Sequence, residues 1–327
     1  LMADCPMVAT IESECYTRDI GGLPKLFPHQ KRILNHMFKP VNGRFRYTTF
    51  VISMIKKSGK TALATWLTYA FARLYGGEMY SVANDERHAK RRMFSRLEEN
   101  LKYMKEKDPE LFNKVMDGED KVRKERIVYG ETIRFANDNQ PNMGPHDVNY
   151  LAVDYAGEAG AMNALVVYDE IWGITSERAE RLWTELPPLP AVTACPVSIR
   201  LVTTYAGFYG ESDLLYGLYD RVVKPDPHTE EPQGNRVPGL EDLPVFVSDD
   251  GSTIVYWDHE PRMPWHTLEY LSQQKNDPTL RPSEYKRLWE NRWSTGSEAF
   301  LDMDVVRQAM DAGREMGLVN NFASLMK

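Results

Sequence analysis

Residues 56–61, Lys-Lys-Ser-Gly-Lys-Thr, combine residue types that together can bind phosphate groups. A β-branched and aromatic run at residues 48–52 precedes them and predicts a buried strand. Apolar residues at helical spacing follow from Leu63 to Leu74 and predict a helix. This layout is typical of a phosphate-binding loop, because the free N–H groups and positive dipole end of the helix face the phosphates.

Each residue of the loop has a predicted role. We expect Lys57, Ser58 and Gly59 to contact the nucleotide, Lys60 to reach its β- and γ-phosphates, and the Thr61 hydroxyl to ligate Mg²⁺. The sequence departs from the pattern G-x-x-x-x-G-K-[ST] at its first glycine, where Met54 stands instead. A solvated, lysine-rich helix start is the alternative explanation of Gly-Lys-Thr in isolation, so motifs elsewhere must decide.

An acidic pair follows a second apolar run, Leu165 to Tyr168. Because ligands bind at the carboxyl ends of parallel strands, Asp169 is expected to lie near the phosphates and to hold Mg²⁺. Glu170 is then placed to act as general base toward the attacking water. The alternative is a pair that only caps a helix. The run ending in Asp154 is a weaker candidate, since no glutamate follows it.

Two further motifs complete an ordered set. Thr203-Thr204 ends another apolar run, where a hydroxyl can sense the γ-phosphate, although β-branched residues are common in strands in general. Gln30 stands at a predicted helix start upstream of the loop and could read an adenine edge with its amide. An exposed helical glutamine is the alternative. The order of these motifs favours a nucleotide hydrolase over a P-loop small-molecule kinase.

Composition excludes several other classes. The 327 residues carry a net charge of −7 and 42% apolar residues, as in ordinary globular proteins. No apolar run approaches the roughly 18 residues of a membrane span. The three cysteines lack metal-ligand spacing and indicate a reducing compartment, so we expect a cytoplasmic protein with no membrane partner.

Apolar strands alternating with helices predict an α/β fold with a mostly parallel sheet flanked by helices, as in P-loop NTPases of the ASCE or RecA-like class. We place an N-terminal lead-in at residues 1–22 and an ATPase core at 23–221. A Pro- and Gly-rich stretch then leads into a small lid or linker subdomain at 222–327.

With these motifs in order, the chain resembles the ATPase half of the large terminase subunit of tailed phages over roughly residues 23–310. The resemblance rests on six stretches: 27–30, 55–61, 166–170, 201–207, 211–216 and 285–293. The phosphate loop of that family typically lacks the first glycine, as this one does.

The resemblance implies a role for each motif. Gln30 corresponds to the adenine-motif glutamine, Asp169 to the metal-side acid, Glu170 to the catalytic base, and Thr203-Thr204 to the coupling motif. Lys56 is a catalytic candidate, but many members have arginine there, and lysine keeps the charge without the bidentate fork.

The resemblance also implies partners: ATP and Mg²⁺ as ligands, double-stranded DNA as the moved substrate, and the portal protein and small terminase subunit as contacts at the procapsid in the host cytoplasm. It implies a homo-oligomeric ring when active, although the isolated chain could be monomeric. A neighbouring subunit would supply an arginine, for which Arg126 and Arg134 are candidates.

Such subunits normally continue into a nuclease domain of about 100–200 residues. Residues 300–304 resemble the approach to it, but the sequence stops at Lys327. We therefore expect no nuclease activity from this chain. Two alternative functions stay open: a helicase-like, nucleic-acid-dependent ATPase, and a nucleotide-gated assembly subunit without catalysis.

Overall fold

A computed structural model gives the structure of the protein, which is described over residues 3–83, 93–116, 132–137, 140–152, 162–175, 177–190, 192–296 and 308–313. The strands in these ranges are β1 Pro40–Val41, β2 Arg44–Phe45, β3 Thr49–Ser53, β4 Glu78–Ala83, β5 Thr132–Arg134, β6 Asp147–Ala152, β7 Asn163–Asp169, β8 Ile199–Thr204, β9 Phe208–Tyr209, β10 Asn235–Arg236, β11 Val245–Val247, β12 Thr253–Trp257 and β13 Ser294–Thr295.

The helices in the same ranges are α1 Pro6–Glu14, α2 Pro28–Met37, α3 Lys60–Leu74, α4 Ser95–Lys107, α5 Pro109–Val115, α6 Glu177–Glu185, α7 Asp213–Val223, α8 Leu268–Lys275 and α9 Pro282–Trp289. Short 3₁₀ turns occur at Arg18–Ile20 and Ile171–Gly173. None of the helices described is both long and apolar enough to cross a bilayer.

One large sheet organises the molecule. Nine of the described strands form it in the order β10-β11-β12-β3-β8-β7-β4-β6-β5. The six strands from β12 to β6 run parallel, whereas β5 and the pair β10-β11 add antiparallel edges. The predicted α/β fold with a mostly parallel sheet is therefore confirmed, and β8 lies between the strand before the phosphate loop and the strand that ends in Asp169.

Both faces of this sheet are covered. Along β3, Phe50 and Ile52 belong to one buried cluster, which includes residues of α1 to α5, and Val51 belongs to a second cluster with α7. Because alternate residues of a strand point to opposite faces, a strand buried on both faces needs apolar residues at every position. This requirement explains the continuous apolar runs in the sequence.

The C-terminal part of the chain contributes to the sheet. Strand β12 pairs in parallel with β3 over its full length, from Thr253 opposite Thr49 to Trp257 opposite Ser53. The boundary that the sequence placed after residue 221 thus does not coincide with an edge of the sheet. Local sequence patterns do not reveal that residues 253–257 join β3.

Strand β5 forms one edge of the sheet, where it pairs antiparallel with β6. Two residues named in the sequence analysis, Asp154 and Arg126, lie outside the described residues.

The position of β12 leads to a prediction about truncation. A chain of residues 1–221 lacks β12 beside β3 and loses Trp257 and Trp293 from the second core cluster. We expect this fragment to show no cooperative unfolding transition in circular dichroism, because β3 keeps an unpaired, apolar edge. A chain of residues 1–296 is the control and should unfold cooperatively. A cooperatively folded 1–221 fragment would show that β12 is dispensable.

Candidate nucleotide-binding site

The register of three parallel strands brings the predicted residues to one edge of the sheet. Asp169 lies opposite Thr203 between β7 and β8, and Thr203 lies opposite Ile52 between β8 and β3. The loop that follows β3 therefore starts at Met54, two residues beyond this level. Residues from three distant parts of the sequence meet because their strands end together.

The loop between β3 and α3 turns through two left-handed residues, Lys57 with φ 67° and Gly59 with φ 77°. Gly59 is the N-cap of α3, so the helix begins directly at Lys60. Met54 is buried in the core, and its N–H donates to the carbonyl of Thr204 at 3.2 Å. A side chain fits at position 54 because the left-handed conformations lie further along the loop.

Lys60 lies under the loop with a side chain that is almost fully buried. Its ammonium donates to the carbonyl oxygens of Met54 and Ile55 at 2.9 and 3.1 Å and lies 4.7 Å from the centre of the Tyr205 ring. Burial lowers the pKa of this ammonium, and the neighbouring carboxylates of Glu170 and Asp169 oppose the shift. The Lys60 ammonium is thus held at the base of the loop, where it can bind an anionic ligand.

Asp169 is the centre of a small oxygen cluster. Its Oδ1 accepts from the Thr203 hydroxyl at 2.8 Å and its Oδ2 from the Thr61 hydroxyl at 3.2 Å. Carboxylate and hydroxyl oxygens are the protein ligands that Mg²⁺ takes when it also binds phosphates. The donor set of Thr61 and Asp169 thus suits the predicted metal. In the described part of the chain, no three His, Cys, Asp or Glu side chains converge as a metal cluster.

The two threonines of the coupling motif have different surroundings. The Thr203 side chain contacts Asp169, whereas the Thr204 hydroxyl donates to the backbone carbonyl of Tyr205 at 2.9 Å. Successive residues of a strand point to opposite faces. In this structure Thr203 contacts the predicted metal ligand directly, and Thr204 does not.

Glu170 is held by both its backbone and its side chain. It has a left-handed conformation, φ 62° and ψ 52°, and its N–H donates to the Thr203 carbonyl at 2.7 Å. The Trp172 indole N–H donates to Glu170 Oε2 at 2.9 Å. Non-glycine residues in this region store strain that is commonly found at functional sites. The conformation turns Glu170 away from the line of the strand.

The loop and Glu170 line one cleft of about 300 Å³. The residues on its walls are Lys56 to Ala62, Arg96, Glu170 and Tyr205. Arg96 of α4 is not among the residues that the sequence predicted for this site. Its guanidinium also forms an ion pair with Asp19 at 2.8 Å.

Gln30 lies in the first turn of α2 and is buried, so the alternative of an exposed glutamine is wrong. Its Oε1 accepts from the N–H of Phe27 at 3.0 Å, which closes the first turn of the helix. The Phe27 ring lies 6.0 Å from the Trp265 ring, whose indole N–H donates to the carbonyl of Lys57 at 2.8 Å. A chain of two rings therefore links the start of α2 to the phosphate loop.

Arg134, one candidate for the arginine that is supplied to a neighbouring subunit, is bound to a residue of its own chain. Its guanidinium forms two hydrogen bonds of 2.8 Å to the carboxylate of Asp147 on the adjacent strand. Arg126, the other candidate, lies outside the described residues. The source of a trans-acting arginine stays a prediction.

Asn291 joins three strand ends and was not identified from the sequence. Its Oδ1 accepts from Ala206 N–H at 2.7 Å, and its Nδ2 donates to the Asp258 carbonyl at 2.9 Å and lies 3.0 Å from Ser53 Oγ. These partners follow or end β8, β12 and β3. Asn291 is fully buried and has φ 52°, a conformation that asparagine tolerates better than most residues. A single amide thus ties α9 to the end of the sheet beside the loop.

Comparison with known proteins identifies similar folds. No protein-family profile matches the sequence, and no curated protein matches it by sequence. The chain is similar to the solved large terminase of bacteriophage HK97, with 18% identity and a TM-score of 0.48 over 94% of this chain and 51% of that one. It thus spans about half the length of that protein.

A second similar structure is the large terminase ATPase domain of Thermus phage P74-26, with 13% identity and a TM-score of 0.47 over 82% of this chain and 99% of that domain. A mutant of the same domain has 14% identity and a TM-score of 0.44, over 75% of this chain and 88% of that one. At such identities the roles of individual residues must come from the geometry of this site.

The amide of Asn291 leads to a prediction about stability. Asn291→Ala leaves the buried Ala206 N–H and Asp258 carbonyl unpaired, so we expect the free energy of unfolding in urea to fall by about 2–4 kcal/mol. The control is Asn276→Ala, at the exposed end of α8, which should change it by less than about 0.5 kcal/mol. Equal effects of both variants would contradict the role assigned to Asn291.

Proposed function

We propose that the chain is an ATP-hydrolysing motor domain of the large-terminase type, which moves double-stranded DNA into procapsids. One observation carries the proposal: Lys60, Thr61 and Glu170 line a single cleft, and Asp169 contacts Thr61 at its base. A phosphate-binding loop beside a strand that ends in a metal-binding acid and a catalytic base is the arrangement that nucleotide hydrolysis requires.

In this proposal the triphosphate of ATP lies across the N-terminus of α3. The N–H groups of the first helical turn and the Lys60 ammonium bind its β- and γ-phosphates. Binding then replaces the bonds from Lys60 to the carbonyls of its own loop. Lys56 and Lys57, on the wall of the cleft, add positive charge beside the transferred phosphoryl group.

Thr61 and Asp169 are the residues that hold Mg²⁺, which when bound neutralises charge on the β- and γ-phosphates. Thr203 fixes the Asp169 carboxylate through a bond to Oδ1. Glu170 accepts the proton of the attacking water and orients that water in line with the γ-phosphate. Its carboxylate must be aimed correctly for this step, so the Trp172 N–H that binds Oε2 contributes to catalysis.

Loss of the γ-phosphate changes what Thr203 and the loop contact, and the change can pass along β8 and through Asn291 to α9. Residues 222–327 include α8 and α9, and the loop is contacted by Trp265, which precedes α8, and by Leu288 of α9. We propose that α8 and α9 form a lid whose movement acts on DNA.

The proposal also includes a ring of subunits in which a neighbour supplies an arginine to the site. The portal protein and the small terminase subunit are the proposed partners, adenine is recognised near Gln30, and the protein acts in the host cytoplasm.

The proposed catalytic base can be tested directly. Glu170→Gln removes the proton acceptor, so we expect ATP turnover to fall by about 10²–10⁴-fold while nucleotide binding persists. Lys60→Ala should abolish both ATP turnover and nucleotide binding, because the loop loses its phosphate contact. Turnover is measured by phosphate release with and without double-stranded DNA, and Glu180→Gln on the exposed face of α6 is the matched control.

The outcomes separate the proposals. Stimulation of wild-type turnover by DNA supports the motor. Turnover in Glu170→Gln equal to wild type would refute the assigned base. If the wild-type protein binds ATP but does not hydrolyse it, even with DNA present and at concentrations at which rings form, the proposal that the chain is an ATPase is refuted.

The two threonines permit a matched comparison, since both side chains are fully buried on the same strand. Thr203→Val removes the hydroxyl that orients Asp169, so we expect Mg²⁺-dependent nucleotide affinity to fall by about 10–100-fold. Thr204→Val should bind the nucleotide with nearly the affinity of the wild-type protein. Titration with a fluorescent ATP analogue at several Mg²⁺ concentrations measures the difference, and a larger loss in Thr204→Val would contradict the geometry.

A further inference from the structure

We propose that Arg287 is a positioning residue for Glu170 and acts through the ring of Trp172. The inference rests on the proposed function, because it assigns Arg287 a part in the same hydrolytic site. Nothing in the sequence distinguishes Arg287 from the neighbouring basic residue of α9, but the side chains around it in the structure do distinguish it.

Three aromatic rings enclose the Arg287 side chain, which is only 4% exposed. Its Cζ atom lies 4.1 Å from the centre of the Trp172 ring, 4.6 Å from that of Phe208 and 5.0 Å from that of Tyr205. A guanidinium over an aromatic face is attracted by the ring quadrupole, and the attraction grows when water is excluded. The cation thus holds these rings in a fixed arrangement.

The polar partners of Arg287 do not by themselves explain its burial. Its Nη2 donates to Glu284 Oε2 at 2.7 Å, but among the described residues Nε and Nη1 are buried without a hydrogen-bond partner. A buried charge with unmatched donors lowers stability, and an apolar side chain of similar volume would pack there at least as well. A contribution to fold stability is therefore a poor account of this residue.

The enclosing rings lead directly to the catalytic groups. The Trp172 indole N–H donates to Glu170 Oε2 at 2.9 Å, and the Trp172 ring stacks on Tyr205 with centres 5.7 Å apart. Tyr205 also contacts the Lys60 ammonium. If the Arg287 cation is removed, the Trp172 ring loses one of the groups packed against it and can turn its N–H away from Glu170.

The helix that carries Arg287 is also fastened to the phosphate loop. The N–H of Lys56 donates to the carbonyl of Leu288 at 2.6 Å. Arg287 therefore occupies the point where α9 meets both walls of the cleft. A shift of α9 would change the orientation of Glu170 through Trp172, so the residue can couple the position of the lid to hydrolysis.

Turnover and binding measurements test the inference. Arg287→Met should lower kcat by about 10–100-fold, since small misplacement of a catalytic group has effects of this size, with little change in affinity for a fluorescent ATP analogue. Trp172→Phe keeps the ring but removes the N–H and should lower kcat similarly. The double variant should be no slower than the worse single variant, because both act on one contact.

The control is Arg200→Met, because Arg200 is another buried arginine whose guanidinium packs against a tryptophan ring. Its Cζ lies 4.0 Å from the Trp183 ring centre, and its Nε donates to the Leu186 carbonyl at 3.0 Å, near the amino end of β8. It should lower thermal stability without changing kcat of the folded protein. Arg287→Lys retains the charge and should recover part of the lost kcat.

Several results would overturn the inference. These are an unchanged kcat in folded Arg287→Met, losses that multiply in the double variant, or an equal loss of kcat in Arg200→Met. If wild type shows no turnover, the proposed function fails separately, and a crystal structure of Arg287→Met decides the inference. A Trp172 Nε1 to Glu170 Oε2 distance beyond 3.5 Å supports it, and an intact bond overturns it.

Discussion

The site depends on the parallel register of β7, β8 and β3. Because Asp169, Thr203 and Ile52 lie at one level across these strands, the acid, the hydroxyl that fixes it and the start of the loop share one edge of the sheet. Backbone hydrogen bonds maintain that register and two buried clusters cover its faces. A slip of one residue would move Thr203 to the opposite face and leave the Asp169 carboxylate without its partner.

The sequence was sufficient for the parts of the fold that depend on local patterns. Strands buried on both faces are continuous apolar runs, and polar residues after such runs mark the functional edge, so the loop and Asp169-Glu170 could be located. The neighbours of a strand are not encoded locally. The pairing of residues 253–257 with β3 depends on contacts about 200 residues apart in the chain.

The residues packed around the proposed catalytic groups were not predictable for a related reason. Trp172, Tyr205 and Arg287 have no shared spacing, and each is ordinary in its own segment. Only the folded chain shows that their side chains meet beside Glu170. Asn291 is similar, because one buried amide with a left-handed backbone leaves no periodic signal. The difference between Thr203 and Thr204, in contrast, follows from strand alternation and could have been anticipated.

Two non-glycine residues on the cleft, Lys57 and Glu170, have left-handed backbones, which has a consequence for thermostability. Each holds a backbone conformation that costs about 1–3 kcal/mol for a residue with a side chain, and glycine would adopt it freely. Selection for heat resistance alone would therefore favour glycine at both positions and remove side chains that the proposed mechanism uses. Stabilising changes that keep these side chains must be sought elsewhere in the fold.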